Sequence, residues 1–232
     1  MKEGLQVLQI EPSSDFEFNK FQHHLKNLTK KNKGYSNGYI RLTVFRSDGG
    51  KYQALDNKAN WLIDLVPLQQ GQFELNTKGL KVGLYDQIPV SCNILSPFKT
   101  LSALPYVLAS NFARTQGWDD CFLLSEDGSL CEATSSNIFL VKGGKITGVA
   151  IESGAIQGVM QNVIRDICLG KGIPFEFKRP GEKQALDADE IFLTNAVQGI
   201  RWVGTFGGKE FHHDLSTFLL ELLNEEVSRK AR

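Results

Sequence analysis

The sequence predicts an α+β protein of two lobes that meet near residues 92–98. Three observations carry this expectation. Apolar residues recur at helical spacing in a few separated segments, and short β-branched and aromatic runs lie between them, punctuated by glycine turns. The helical segments do not alternate regularly with single strands, which argues against a doubly wound parallel sheet.

Taken in order, the chain opens with a short apolar run, 5–10. Phe18, Phe21, Leu25 and Leu28 then recur at helical spacing and predict a helix ending near Lys33. Gly34, Ser36, Asn37 and Gly38 break it. Residues 39–45 read as a strand, Ser47-Asp48-Gly49-Gly50 as a turn, and a further strand is expected from Tyr52. Segments 61–66 and 80–85 read as strands, and 100–116 as a helix with Leu104, Val107, Leu108 and Phe112 on one face. Strands follow at 121–124, 129–132 and 137–141. Their turns, Glu126-Asp127-Gly128 and Lys142-Gly143-Gly144-Lys145, are hairpin signals. A helix is expected over about 158–169, strands at 175–178 and 190–194, and a closing amphipathic helix marked by Leu215, Phe218, Leu219, Leu222 and Leu223. The expected division is a small α+β lobe over 1–92, a linker over 93–98 and a larger lobe over 99–232.

The chain has 232 residues, with 26 basic and 26 acidic side chains. That balance provides no long-range attraction to nucleic acid or to an anionic membrane, so neither is expected as a partner. Cys92, Cys121, Cys131 and Cys168 form no C-x-x-C pair and lie in apolar runs, which reads as buried free thiols in a reducing compartment. No apolar stretch reaches the length of a membrane span, and the first ten residues do not resemble a signal peptide. A cytoplasmic location is expected. The histidines occur as adjacent pairs, His23-His24 and His212-His213, which point to different helix faces, so no metal site is expected.

Dinucleotide, P-loop, zinc-protease and nucleophile-elbow patterns are missing from the sequence. The segment that stands out is Ser96-Pro97-Phe98-Lys99-Thr100, just ahead of a predicted helix. A lysine at the junction of two lobes, flanked by proline and an apolar run, is expected to be partly desolvated, which favours the neutral amine. A neutral amine forms a Schiff base with an aldehyde cofactor. The other reading is a solvated lysine that closes a loop.

Residues 96–110, Ser-Pro-Phe-Lys-Thr-Leu-Ser-Ala-Leu-Pro-Tyr-Val-Leu-Ala-Ser, resemble the cofactor-lysine segment of class-IV aminotransferases. That family includes branched-chain and D-amino-acid aminotransferases and aminodeoxychorismate lyase. The likeness continues in the same order. Residues 130–140, Leu-Cys-Glu-Ala-Thr-Ser-Ser-Asn-Ile-Phe-Leu, are similar to its glutamate strand and S-N-I/L-F signature. Residues 153–160 resemble its phosphate-cup turn, 188–196 its second phosphate loop, and 39–46 a strand of its small lobe.

The resemblance implies fold type IV, with a small α/β sandwich lobe beside a larger pseudo-barrel lobe, and pyridoxal 5'-phosphate as cofactor. It implies that Lys99 binds the cofactor and shuttles the substrate's α-proton, and that Glu132 keeps the pyridine nitrogen protonated. Val159 and Met160 at a helix start, with Asn195 and Ala196 after a strand, would bind the phosphate. Arg41 or Arg46 would clamp a substrate carboxylate. An odd separation places those two on opposite faces of a regular strand, and Arg41 is the preferred one. Outside the resemblance, each of these residues also reads as ordinary scaffold: a strand glutamate, a glycine-marked helix start, a plain turn and outward-facing arginines.

Family members usually carry further strands ahead of the point matching Leu5, including an arginine that binds the phosphate, so the small lobe is expected to be incomplete at its N-terminus. Ser102 and Ala103 stand where many relatives have asparagine and tyrosine. Met160 has no hydroxyl, Gln161 replaces a frequent arginine, and Gly148 a frequent proline. Three functions follow as expectations: transamination of an amino acid, aminodeoxychorismate lyase activity giving 4-aminobenzoate and pyruvate, or a catalytically impaired scaffold. A homodimer is implied by the family.

Overall fold

The computed structural model describes residues 1–12, 16–32, 37–68 and 71–230. It divides into two compact units, Met1–Gly71 and Gln72–Arg232.

In the first unit the opening apolar run is helical, α1 (Lys2–Val7), and buries Leu5. The second helix, α2 (Phe18–Lys31), turns Phe21, Leu25 and Leu28 inward at the spacing the sequence predicts. The break expected at Gly34 and Ser36 lies outside the described residues. Strand β1 (Gly38–Arg46) pairs antiparallel with β2 (Ala59–Pro67), from Gly38 opposite Pro67 to Arg46 opposite Ala59. Leu5, Ile10 and Ala59 form a small core with Leu8, Phe16 and Val44 against it. The strand expected from Tyr52 does not form. Gly49 and Gly50 take φ values of 110° and 78°, and Tyr52 stands fully in solvent within a bend. A β-branched or aromatic residue makes a strand only where a neighbour can receive it.

The second unit is built on one mixed sheet. Its strands are β3 (Leu80–Val90), β4 (Asp120–Ser125), β5 (Leu130–Ala133), β6 (Asn137–Lys142), β7 (Lys145–Val149), β8 (Phe175–Lys178), β9 (Glu190–Asn195), β10 (Gly199–Phe206) and β11 (Lys209–Glu210). Their order is β5-β4-β3-β10-β9-β6-β7-β8, with β11 on β10. β3 runs parallel to both β4 and β10, and β7 is parallel to β8; the other pairs are antiparallel. β5 also approaches β6 and β7, so the sheet curls back on itself. Helices α3 (Leu104–Thr115), α4 (Val159–Lys171), α5 (Glu182–Asp187) and α6 (Asp214–Lys230) complete the unit.

The curl explains the continuous apolar runs. Alternate strand residues face opposite sides. In β6 and β9, Ile138, Leu140, Ile191 and Leu193 join the interior cluster with Phe122, Val203 and Phe206. Phe139, Val141 and Phe192 point the other way, onto Met160, Ile164 and Cys168 of α4 and Leu219, Leu220 and Leu223 of α6. Cys121 and Leu123 of β4 pack with Ala109 and Ala113 of α3. Both faces of these strands are therefore covered.

Several expectations change. β3 belongs to the sheet through its parallel bonds to β4 and β10, so the units divide after Gly71, and the expected small lobe does not reach residue 92. Helix α3 starts at Leu104 rather than at residue 100, with Pro105 in its first turn. Strands β7 and β10 and helix α5 have no counterpart in the sequence reading. Cys92 is exposed, whereas Cys121, Cys131 and Cys168 are buried free thiols. No helix of the described residues is long and apolar enough to cross a membrane.

Gly83 of β3 lies under the Trp118 ring. A Cβ at Gly83 would fall 2.0 Å from Trp118 Cζ3. Gly83→Ala is expected to destabilise by about 1–3 kcal/mol through overpacking. Gly170, in the last turn of α4, has open space where a Cβ would sit. Gly170→Ala is expected to stabilise by about 0.5–1 kcal/mol. Urea unfolding midpoints of the two variants check the contrast.

Candidate active site

The site residues of the second unit are gathered by short-range bonds around one loop and one turn. Lys99 sits on a wound loop ahead of α3. Ser96 Oγ donates to the Ser91 carbonyl at 2.8 Å and accepts from Asn93 N–H at 2.8 Å, and Phe98 N–H bonds to the Leu95 carbonyl. The Pro97 carbonyl accepts from Gln157 N–H at 3.0 Å, which ties this loop to the turn that precedes α4. Lys99 itself is exposed, so the desolvation expected from Pro97 and Phe98 is not found.

Glu132, on β5, is 3% exposed. Its Oε1 accepts from the Tyr106 hydroxyl at 2.7 Å, and Ile156 N–H reaches Oε1 and Oε2 at 3.3 and 3.4 Å. Burial pushes its carboxyl up to about 7, against the opposing pull of Tyr106, Ile156 N–H and the Lys99 charge. The Lys99 charge is the smallest of these opposing influences on Glu132. Burial together with Glu132 pushes the Tyr106 phenol far up as well.

The turn ahead of α4 is fixed from β6. Asn137 Nδ2 donates to the Ile156 carbonyl at 2.9 Å, and its Oδ1 lies 2.0 Å from where a Gly158 Cβ would stand. Glycine is required there by close approach. Helix α4 then begins at Val159 with no side-chain cap on its free N–H groups. Val159 is exposed and Met160 buried. At the end of β9, Asn195 donates to Ser136 Oγ at 2.9 Å, and its Oδ1 accepts from Val197 and Gln198 N–H. The Asn195 side chain therefore shapes the Ala196 turn instead of standing free for a ligand. The neighbouring Thr194 hydroxyl is buried without a hydrogen-bond partner. Asp120 holds the opposite side of the signature: its Oδ1 accepts from Thr134 N–H and Oγ1, at 3.1 and 2.7 Å.

Arg41 and Arg46 lie in the first unit. Arg46 shares a strand face with Val44 and donates to the Leu8 carbonyl beside α1. Arg41 is on the other face of β1, where Nε and Nη2 both donate to Asp64 Oδ2, at 2.9 and 2.8 Å. One histidine of each pair packs on an aromatic ring: His24 lies 5.0 Å from the Trp61 ring centroid and His213 lies 4.3 Å from that of Trp202.

Sequence reasoning missed Tyr106, Asn137 and Asp120. Asn137 lay within a quoted signature but was given no task. Tyr106 lay inside the helix expected over 100–116 and falls in the first turn of the observed α3, which starts at Leu104.

A mixed sheet curled into a pseudo-barrel, with helices packed on its outer face, is the architecture of fold type IV. The chain belongs to the amino-transferase class IV family, whose profile matches residues 1–205. It is 29% identical over 201 residues to a Synechocystis protein assigned as a branched-chain-amino-acid aminotransferase, which covers 80% of this chain and 61% of that one. The chain thus spans about three fifths of that relative. Among solved structures, a Legionella pneumophila protein assigned as a 4-amino-4-deoxychorismate lyase superposes with a TM-score of 0.85 at 20% identity, covering 97% of this chain and 82% of its own. The branched-chain amino acid aminotransferase of Thermobaculum terrenum in its PLP form gives 0.84 at 20% identity, with 97% and 75% covered.

The family is pyridoxal-phosphate dependent, and the residues present fit that group. A buried carboxylate with one lightly used oxygen suits a protonated ring nitrogen. An uncapped helix start and an orphaned threonine hydroxyl suit a phosphate.

The raised Glu132 carboxyl has a consequence for the protein without cofactor. Between its ordinary value, 4.5, and about 7 the folded state holds the proton that the unfolded chain has lost. This contribution to stability is present below about 4.5 and is lost as pH rises through about 7. Glu132→Gln removes the loss, although its amide N–H2 then needs an acceptor. The variant is expected to be more stable than the parent by about 1–3 kcal/mol at alkaline pH, with the gap closing toward acid. Urea titrations at several pH values check it.

Proposed function

We propose that this protein is a pyridoxal-phosphate-dependent aminotransferase acting on an amino acid, and that branched-chain amino acids are the first substrates to assay. The observation that carries the reading is the buried Glu132 carboxylate, clamped on one oxygen and within electrostatic reach of Lys99. When bound, the cofactor supplies a ring that takes up the electron pair released as the substrate's α-proton leaves. Lys99 would hold the cofactor through its amine, and once the substrate's amino group had displaced it, the freed Nζ would carry the α-proton; its exposure on the loop leaves the amine free to move between these tasks. Glu132 holds a negative charge against the ring nitrogen. The N–H groups of Val159 and Met160, with the Asn195-Ala196 turn, bind the phosphate. Arg41 is kept as the candidate for the substrate carboxylate because its guanidinium already grips a carboxylate, that of Asp64, through two donors.

The protein is further proposed to act as a homodimer. Leu101, Leu104, Val107 and Leu108 expose an apolar face on the Lys99 loop and α3 that a second copy would cover. It is placed in the cytoplasm, where its buried thiols stay reduced.

Adding pyridoxal phosphate is expected to give a visible absorbance band, and borohydride should fix the cofactor on the peptide that contains Lys99. Lys99→Ala should lose the band and at least about 10³-fold in turnover. Conversion of the bound cofactor to its amine form by an amino acid marks transamination, and release of pyruvate from aminodeoxychorismate marks a lyase. A folded protein that gives no band would make the chain a scaffold.

A further inference from the structure

Resting on the reading of Glu132 as the partner of the ring nitrogen, the geometry points to Tyr106 as a positioning residue that selects which carboxylate oxygen meets the ring. The Tyr106 hydroxyl donates to Oε1 at 2.7 Å. Ile156 N–H is shared between the two oxygens at 3.3 and 3.4 Å. Oε1 therefore takes a full donor and half of another, whereas Oε2 takes only the long half of one. An anionic carboxylate accepts about four hydrogen bonds, so the unused capacity lies chiefly on Oε2.

The clamp is set by the core. The Tyr106 ring packs against the cluster of Tyr85, Ala109, Cys121 and Leu123, in the first turn of α3. Its hydroxyl position follows from this packing, and the same segment carries Lys99 seven residues earlier. One element thus places the amine and orients the carboxylate. The phenol is a donor at every working pH, since burial and Glu132 both oppose its ionisation. A hydrogen bond to the charged form favours that form. Tyr106 therefore widens the pH range over which Glu132 is ionised, and only an ionised Glu132 holds a protonated ring nitrogen.

The test uses the full chain without cofactor, with the glutamate side-chain carboxyl carbons labelled. The Glu132 resonance is identified by its loss in Glu132→Gln and titrated by NMR. In Tyr106→Phe the midpoint is expected to rise, changing the ratio of ionised to protonated Glu132 about tenfold at a fixed pH. Replacing Tyr106 by a ring-fluorinated tyrosine, a stronger donor of the same shape, is expected to lower it, and this arm stands even if the phenylalanine variant does not fold. In parallel, the affinity of Tyr106→Phe for pyridoxal phosphate is expected to fall about tenfold. A midpoint unmoved by both replacements overturns the positioning role, whatever the cofactor does. A midpoint that moves in a protein giving no visible band with pyridoxal phosphate overturns the cofactor reading of the site instead.

Discussion

The site depends on a carboxylate held in the interior without a full counter-charge. Removing a carboxylate from water costs far more than one neutral hydrogen bond restores. Glu132 receives a phenol, a shared backbone N–H and the field of an exposed lysine, and burial still outweighs them, leaving its carboxyl near 7. The surroundings of Glu132 are therefore short of one positive partner. A protonated heteroaromatic nitrogen is such a partner, flat enough to lie beside a strand and unable to pair with two oxygens at once. The asymmetric use of Oε1 and Oε2 suits a partner that donates one hydrogen bond.

What surrounds that carboxylate is a set of braces rather than further charges. Asn137 fixes the Ile156 carbonyl, and the N–H of the same peptide, that of Gln157, bonds to Pro97, while Ile156 N–H meets Glu132. Asp120 and Asn195 hold the two sides of the Thr134–Ser136 segment that leads into β6. Pro97 and Gln157 tie the lysine loop to the same turn. These are single hydrogen bonds, each worth about 0.5–1.5 kcal/mol in stability. Their value to the site is geometric: each removes a freedom that would blur the spacing of amine, carboxylate and helix start.

The sequence made the regular elements legible where one face pattern was enough. Helices α2, α4 and α6 and strands β1, β4, β6 and β9 follow from spacing alone. β10 was hidden because its pattern, Gly-Ile-Arg-Trp-Val-Gly-Thr-Phe, is broken by two glycines. Gly199 takes a φ of 68°, and Gly204 stands where the register shifts and its backbone crosses that of Gly79. Tyr52 failed in the opposite sense, having strand-forming chemistry with no partner to receive it. Lys99, Glu132 and the α4 start were singled out by the order of motifs, not by local physics. The exposure of Lys99 shows that flanking residues do not report burial. Tyr106 was not legible at all, because its bond to Glu132 joins residues far apart in sequence and depends on the placing of α3 against β4.

The boundary between the units carries the last consequence. A linker at 93–98 would have put β3 and the loop that carries Lys99 in different lobes. Instead β3 is hydrogen-bonded on both sides by β4 and β10, and the chain from Gln72 onward forms one unit. The loop with Lys99 leaves one strand of that sheet and leads into a helix packed on it, and Glu132 stands on β5, two strands from β3 in the same sheet. Amine, carboxylate and helix start are thus all set by the packing of a single unit.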